Sequence, residues 1–111
     1  MDERRKLERV RLPESAAVYV VDEDGKRMGR VVTLGPGGLL IETTTRLPEG
    51  SPHHIVLVDE SERIHRSLVV VARYRAGGGT ALDFRALDIE AAVDIGIIIG
   101  KYTGAAQAAC A

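Results

Sequence analysis

The sequence predicts a mainly β domain, a small barrel or sandwich of about six short strands followed by a C-terminal helix. Apolar segments recur at near-regular spacing between turns rich in glycine, proline and aspartate. Aromatic residues make up only 4% of the chain against 45% hydrophobic residues, so β-branched side chains must fill the interior. A length of 111 residues fits one hydrophobic core and leaves no room for a second domain.

The first three strands are predicted around two turns. Ala16–Val21 alternates apolar side chains between two faces, and the turn Asp22-Glu23-Asp24-Gly25 ends it with an Asp-Gly pair. That pair between two apolar segments predicts a hairpin, in which Lys26–Leu34 returns antiparallel. The turn Gly35-Pro36-Gly37-Gly38 then ends the second strand, because glycine permits positive φ and proline donates no hydrogen bond. Leu39–Thr43 follows as the third strand.

The remaining strands are predicted at similar spacing. A turn at Leu47-Pro48-Glu49-Gly50 leads to a strand at His54–Val58, and a longer strand follows at Ile64–Tyr74. Gly77-Gly78-Gly79 is predicted to turn that strand back into Thr80–Phe84.

After Asp88 the period changes to that of a helix. Asp88 is predicted to cap it, and Gly104 stands where helices commonly end. The helix face predicted to meet the barrel consists of Ile89, Ala92, Val93, Gly96, Ile97 and Gly100. Gly96 and Gly100 form a G-x-x-x-G pattern, which we interpret as packing against the barrel, with a helix dimer as the less favoured alternative.

Composition narrows the function classes. The net charge of −1 gives no general footprint for nucleic acid or a membrane, although the N-terminal segment is locally basic. Cys110 is the only cysteine, so no disulfide can form within the chain. No apolar run reaches the roughly 18 residues of a membrane span, and a soluble cytoplasmic protein is predicted. The chain is divided into a basic arm at 1–12, a barrel with its helix at 13–104 and a flexible tail at 105–111.

Enzymatic and metal sites have little support. His53, His54, His65 and Cys110 lack the C-x-x-C or H-x-x-x-H spacing of metal ligands, and adjacent histidines on a strand point to opposite faces. The acidic residues around Ser61 are interpreted as a solvent-facing turn, with no oriented base beside the hydroxyl. We therefore predict neither an enzyme, a metal site nor a cofactor.

The most informative pattern joins the basic arm to the glycine-rich turn. Arg5 and Arg9 form an R-x-x-x-R pattern, which precedes the turn at Thr33–Gly38. Two guanidiniums on a short arm that faces a tight turn would suit a planar phosphorylated ligand, because each presents a rigid fork of donors to phosphate oxygens or to the acceptor edge of guanine. The alternative is a solvated basic arm without a ligand.

Taken together, the chain resembles the PilZ domain from about Arg4 to Tyr102. The likeness rests on the R-x-x-x-R arm, the hairpin, the turn that ends in glycine, a later V-x-x-A/V-R strand, an apolar-x-F strand and the closing helix. It implies a six-stranded antiparallel split barrel with a C-terminal helix. It also implies binding of the bacterial second messenger cyclic di-GMP, often as an intercalated dimer, with a change of shape or protein partner.

The resemblance assigns ligand-binding residues one by one. Arg5 and Arg9 match the first motif, with Arg4 as the extra basic residue before it, and would grip phosphates and guanine edges. The second motif has Asp or Asn, then Ser, then Gly, where this chain has Thr33, Gly35 and Gly38. Only the last agrees with the family pattern.

Because Thr33 and Gly35 depart from the second motif, two functions are considered. Each lost hydrogen bond costs on the order of 1 kcal/mol, so binding could weaken by one to a few orders of magnitude. The favoured prediction is a cyclic di-GMP receptor, monomeric or homodimeric, with a protein partner. The alternative is a degenerate PilZ domain that no longer binds the nucleotide and serves as a protein interaction module. An oligonucleotide-binding barrel is disfavoured, because few aromatic side chains are available for stacking.

Overall fold

The structure is a computed structural model that describes residues 9–76 and 79–110, with side chains described for 9–73 and 79–103. Its elements in chain order are β1 (Val10–Arg11), β2 (Val18–Val21), β3 (Arg27–Gly35), β4 (Gly38–Glu42), β5 (Pro52–Asp59), β6 (Ile64–Ala76), β7 (Gly79–Arg85) and α1 (Ile89–Cys110). The predicted mainly β fold is confirmed.

Six of the strands close into an antiparallel barrel. Neighbouring strands follow the order β3-β2-β5-β6-β7-β4, and a further pairing of β3 with β4 closes the ring. Every strand of the ring has a neighbour on each side, although β2 covers only part of one edge of β3. The extra strand β1 pairs with β3 through Val10 with Leu34 and Arg11 with Thr33. On this edge of β3, β2 pairs only with residues 27–30, and β1 occupies the part that β2 leaves uncovered.

The predicted hairpins form for the expected reasons. At the first turn, Gly25 takes a φ of 81°, and the Asp22 carboxylate accepts hydrogen bonds from the amides of Asp24 and Lys26, both at 2.9 Å. At the second turn, Gly35 pairs with Gly38, so only Pro36 and Gly37 lie outside the strands. The predicted Gly77–Gly79 turn falls largely outside the described residues, but β6 and β7 pair antiparallel up to Ala76 with Gly79.

Alternating apolar side chains fill the barrel. On β2, Val18 and Val20 are both buried, and Leu34, Leu39 and Leu82 form a buried row across three neighbouring strands. Since side chains on a strand alternate in direction, the residues on either side of that row face out of the barrel. The candidate site lies among these outward-facing residues.

A cap begins α1, and two charge clusters attach the helix to the barrel. The Asp88 carboxylate accepts a hydrogen bond from the Ala91 amide at 2.7 Å, which confirms the predicted cap. The Arg66 guanidinium lies 2.7 Å from the Asp94 carboxylate, and hydrogen bonding to Asp94 raises the pKa of Arg66. The Arg66–Asp94 pair ties the N-terminal half of the helix to β6, whereas the cap stabilises the first turn of the helix itself.

The second charge cluster surrounds Asp59, which is fully buried. Its Oδ1 accepts hydrogen bonds from the amide and hydroxyl of Ser61 and from the Glu62 amide, and Lys101 of α1 lies 3.8 Å from it. Burial lowers the pKa of Lys101, but the negative charge of Asp59 outweighs that effect with help from Tyr102 and Glu62, so the pKa of Lys101 is raised. The prediction of a solvent-facing acidic turn was wrong for Asp59.

The predicted packing face of the helix was also wrong. Ile89 is 82% exposed, Val93 55% and Ile97 45%, and a Cβ added at Gly96 or Gly100 would meet nothing within 4 Å. The residues that pack on the barrel are instead Ala91, Ile95, Ile98 and Tyr102, which are all buried. Both sets have helical spacing, so the period alone does not decide which one meets the barrel.

The helix does not end at Gly104 as predicted, but continues to Cys110. Its last turns contain four alanines at 105, 106, 108 and 109, and alanine is the strongest helix former. The segment predicted as a flexible tail is therefore helical over 105–110, and Ala111 lies outside the described residues.

Residues 10–12, which the predicted division assigns to the basic arm, are joined to the barrel. Val10 and Arg11 form β1, Leu12 is buried in the core, and its amide donates to the Val32 carbonyl at 2.9 Å. The barrel therefore begins at Val10, because the unpaired edge of β3 offers backbone hydrogen bonds that this segment satisfies.

Candidate functional site

The candidate site lies on the outer surface of β3, β4 and β7, which we call the glycine face. Its two rows of paired residues are Thr33, Leu40 and Ala81, then Gly35, Gly38 and Asp83. These rows flank the buried leucine row, so their side chains point away from the core. Thr33, Leu40, Ala81 and Asp83 are half-buried, and the two glycines have little exposed surface.

Strand β1 brings the first predicted motif to the second. Val10 pairs with Leu34, so Arg9, one residue earlier, reaches the level of Gly35 at the start of the glycine turn. Arg9 is exposed, and Arg11 beside Thr33 is exposed as well. Arg4 and Arg5 lie outside the described residues, so their predicted roles stay predictions. The chain thus enters the barrel at the edge of the glycine face.

Gly38, the one residue that agrees with the family's second motif, has a structural reason to be glycine. A Cβ at this position would collide with the Leu82 carbonyl oxygen and lie 3.3 Å from the Cα of Asp83. The adjacent turn is tied to the same strand, because the Phe84 amide donates to the Gly37 carbonyl at 3.0 Å. Close approach of β4 to β7 therefore requires glycine here with or without a ligand.

Thr33 occupies the position where the family carries an acidic or amide residue. It lies between Arg11 of β1 and Leu40 of β4, on the outer face. Val32, which precedes it, is an extra residue in the β3–β4 pairing, and such a bulge re-aims the residues that follow. The hydroxyl of Thr33 can offer one acceptor oxygen, and Gly35 offers no side chain.

The sequence reasoning missed an ion pair on this face. The Arg73 guanidinium donates from Nη1 to Oδ2 of Asp83 at 3.0 Å. Asp83 pairs with Gly38 across the strands, and its Oδ1 lies 3.4 Å from where a Cβ of Gly38 would stand. The available signal was the apolar-polar-apolar pattern Leu82-Asp83-Phe84, which turns Asp83 outward beside the motif strand.

A further arginine lies on the same outer side of β3. Arg30 pairs with Glu42 across the strands, and their side chains approach to 3.7 Å. Its guanidinium is largely buried, and its Nη1 finds no acceptor in the part of the chain that the structure describes. The outer surface therefore carries two exposed arginines, Arg9 and Arg11, and two that are paired with carboxylates, Arg30 and Arg73. The two exposed cations suit an anionic ligand.

Metal-ligating clusters and membrane-spanning helices are two other kinds of feature that bear on function. Among the side chains described within ranges 9–76 and 79–110, no three His, Cys, Asp or Glu side chains are grouped so that they could hold a metal ion. In the same ranges no helix has the length and apolar character needed to cross a membrane.

The barrel and its glycine face define a small β-barrel binding module. The sequence model of the PilZ domain matches residues 3–98 of the 111-residue chain, and the chain therefore belongs to the PilZ family. PilZ domains are binding and adaptor modules, not typically enzymes, and the family is generally associated with cyclic di-GMP binding and effector roles. A search of curated proteins finds no match to the chain.

Proposed function

We propose that this PilZ domain is a cytoplasmic cyclic di-GMP receptor that binds the dinucleotide on the glycine face and alters its protein contacts in response. The observation that carries the proposal is the register of β1, which brings Arg9 to the level of Gly35. An R-x-x-x-R arm entering at this point can reach across the turn that holds the second motif. A basic arm that diverged from the barrel elsewhere would not support a joint site.

The charges of the face favour this ligand. Arg9 and Arg11 are exposed beside the second motif, and charge-assisted hydrogen bonds from arginine to phosphate are roughly twice as strong as neutral ones. The serine hydroxyl contact that Gly35 cannot make is a neutral hydrogen bond of about 1 kcal/mol, and an acidic acceptor at the Thr33 position would contribute about 1.5–3 kcal/mol. The arginines retain the charge-assisted contacts to the phosphates.

The anchoring of β1 limits the conformational response. Val10 and Arg11 are paired with β3, so the response to the ligand is proposed for the residues that precede Val10 and not for the whole arm through Leu12. Amide hydrogen exchange should show the Leu12 amide protected with and without ligand, and the amides of residues 4–8 protected only with it. Unchanged exchange in residues 4–8 at saturating ligand would rule out this response.

Calorimetric titration of the chain with cyclic di-GMP tests the proposal. We expect micromolar or tighter binding that is lost in both Arg5→Ala and Arg9→Ala. Arg46→Ala, which removes an exposed arginine from the loop after β4, is the matched control and should bind normally. If the chain releases no heat and shows no rise in melting temperature at high nucleotide concentration, it is not a receptor for this ligand.

The second candidate function is a protein interaction module that has lost the nucleotide. Thr33 and Gly35 favour it because they replace the family's acceptor side chains. The apolar side chains of Ile89, Val93 and Ile97, exposed along α1, also favour it, because they offer a surface that the barrel does not cover. A chain that fails to bind the nucleotide would leave this function as the better supported one.

A further inference from the structure

Asp83 brings a carboxylate to the glycine face from a strand outside both family motifs. It stands opposite Gly38, and its Oδ1 lies 3.4 Å from the point that a side chain at that position would occupy. The carboxylate therefore leans toward β4 over the motif glycine. This approach depends on Gly38, because a Cβ there would crowd both Asp83 and the backbone of Leu82.

The partner of Asp83 leaves one carboxylate oxygen for a ligand. Arg73 binds Oδ2 at 3.0 Å, and no other described residue donates a hydrogen bond to either oxygen. Arg73 is the extra residue of a bulge in the β6–β7 pairing, which directs its side chain to Asp83. The two side chains are 63% and 36% exposed, and such surface pairs contribute only about 0–1 kcal/mol. The pair can therefore rearrange around a ligand at little cost.

Guanine needs the kind of acceptor that Asp83 supplies. One edge of the base presents O6 and N7 as acceptors, which suit arginine, and the exocyclic N2 amino group is a donor. A carboxylate offers two acceptor oxygens to the ring N–H and amino donors, whereas the hydroxyl of Thr33 offers one oxygen at shorter reach. Thr33 and Asp83 lie two strands and two residue positions apart, roughly 12 Å, on the same outer surface.

We infer that Asp83 is the residue that selects guanine in this chain. From β7 it supplies the carboxylate acceptor that Thr33 of β3 lacks. The inference rests on the proposed function, since it assigns the base-reading acceptor of that same site. It moves the source of specificity from the β3–β4 turn to the neighbouring strand.

The test compares cyclic di-GMP with the analogue in which hypoxanthine replaces both guanines and the N2 amino groups are missing. By calorimetry, the unaltered chain should bind cyclic di-GMP at least about tenfold more tightly than the analogue. Asp83→Ala should weaken cyclic di-GMP binding by about tenfold or more and bring the two affinities together. Asp24→Asn, in the exposed turn before β3, is the control and should change neither affinity.

Each other outcome overturns the inference in a recognisable way. If Asp83→Ala binds both nucleotides as the unaltered chain does, Asp83 has no role, and the proposed receptor function stands. If it weakens both by the same factor, its effect does not come from reading the N2 amino group of guanine. If the unaltered chain binds neither nucleotide, the proposed function fails together with the inference. A melting temperature within a few degrees of the unaltered chain shows that the variant is folded.

Discussion

Replacing Gly38 by alanine should destabilise the barrel even when no ligand is present. The added Cβ would collide with the Leu82 carbonyl oxygen and lie 3.3 Å from the Cα of Asp83. These are backbone atoms of a strand whose Leu82 side chain is buried, so they cannot move aside without disturbing the core. Overpacking of this kind costs about 1–3 kcal/mol. At about 4–8 °C for each kcal/mol, the melting temperature should fall by roughly 5–20 °C.

Gly37→Ala is the matched control for this experiment. Gly37 is one residue away in the same turn, yet a Cβ added to it would meet nothing within 4 Å. We expect a change within about 0.5 kcal/mol, as for most surface substitutions. Thermal melting followed by circular dichroism compares the two variants. Equal melting temperatures would refute the conclusion that strand packing requires Gly38. Its only remaining role would then be contact with a ligand.

Four further variants test the packing and charge of α1. Ile98→Ala should cost about 2–5 kcal/mol, because Ile98 is fully buried, whereas Ile97→Ala next to it should cost at most about 1 kcal/mol; equal losses in denaturant titrations would contradict the observed helix face. Lys101→Met should cost about 1–2 kcal/mol, less than breaking a fully buried pair, because turn hydrogen bonds still hold Asp59. The pKa of Lys101 is raised in the folded state, so its stabilising effect is complete below about pH 10 and is lost as the pH rises through that raised pKa. If the difference in stability between the unaltered chain and Lys101→Met is the same at pH 8 and pH 12, this charge effect is ruled out. Gly100→Ala should stabilise the monomer by about 0.5–1 kcal/mol, since the methyl group meets nothing within 4 Å, and a loss of stability would show instead that this face is packed.

The hairpins were predictable because their signals are local. The turn at Asp22–Gly25 forms through the Asp22 carboxylate and the positive φ of Gly25, both properties of four neighbouring residues. The strands on either side need only alternate in polarity to be recognised. The cap at Asp88 is local in the same way, because its carboxylate bonds to an amide three residues ahead.

The helix face was not predictable because two apolar stripes compete for the barrel. Ile89, Val93 and Ile97 repeat at helical spacing, and so do Ala91, Ile95 and Ile98. Periodicity shows that a stripe exists but does not say which one faces the barrel. That choice depends on the angle at which the chain leaves β7 and on the surface it meets, both of which are properties of the assembled barrel.

The candidate site, like the fold, could be predicted from the sequence only in part. The sequence alone determined that an arginine motif precedes a glycine-rich turn, and that Thr33 and Gly35 stand where the family carries acceptor side chains. Only the tertiary structure joined Arg9 to that turn through the pairing of β1 with β3, and only it placed Asp83 beside Gly38. Motifs consist of residues that are near in sequence, whereas strand pairing brings together residues that are distant along the chain. The carboxylate of Asp83, 45 positions after Gly38 in the sequence, could be found only once β4 and β7 were paired.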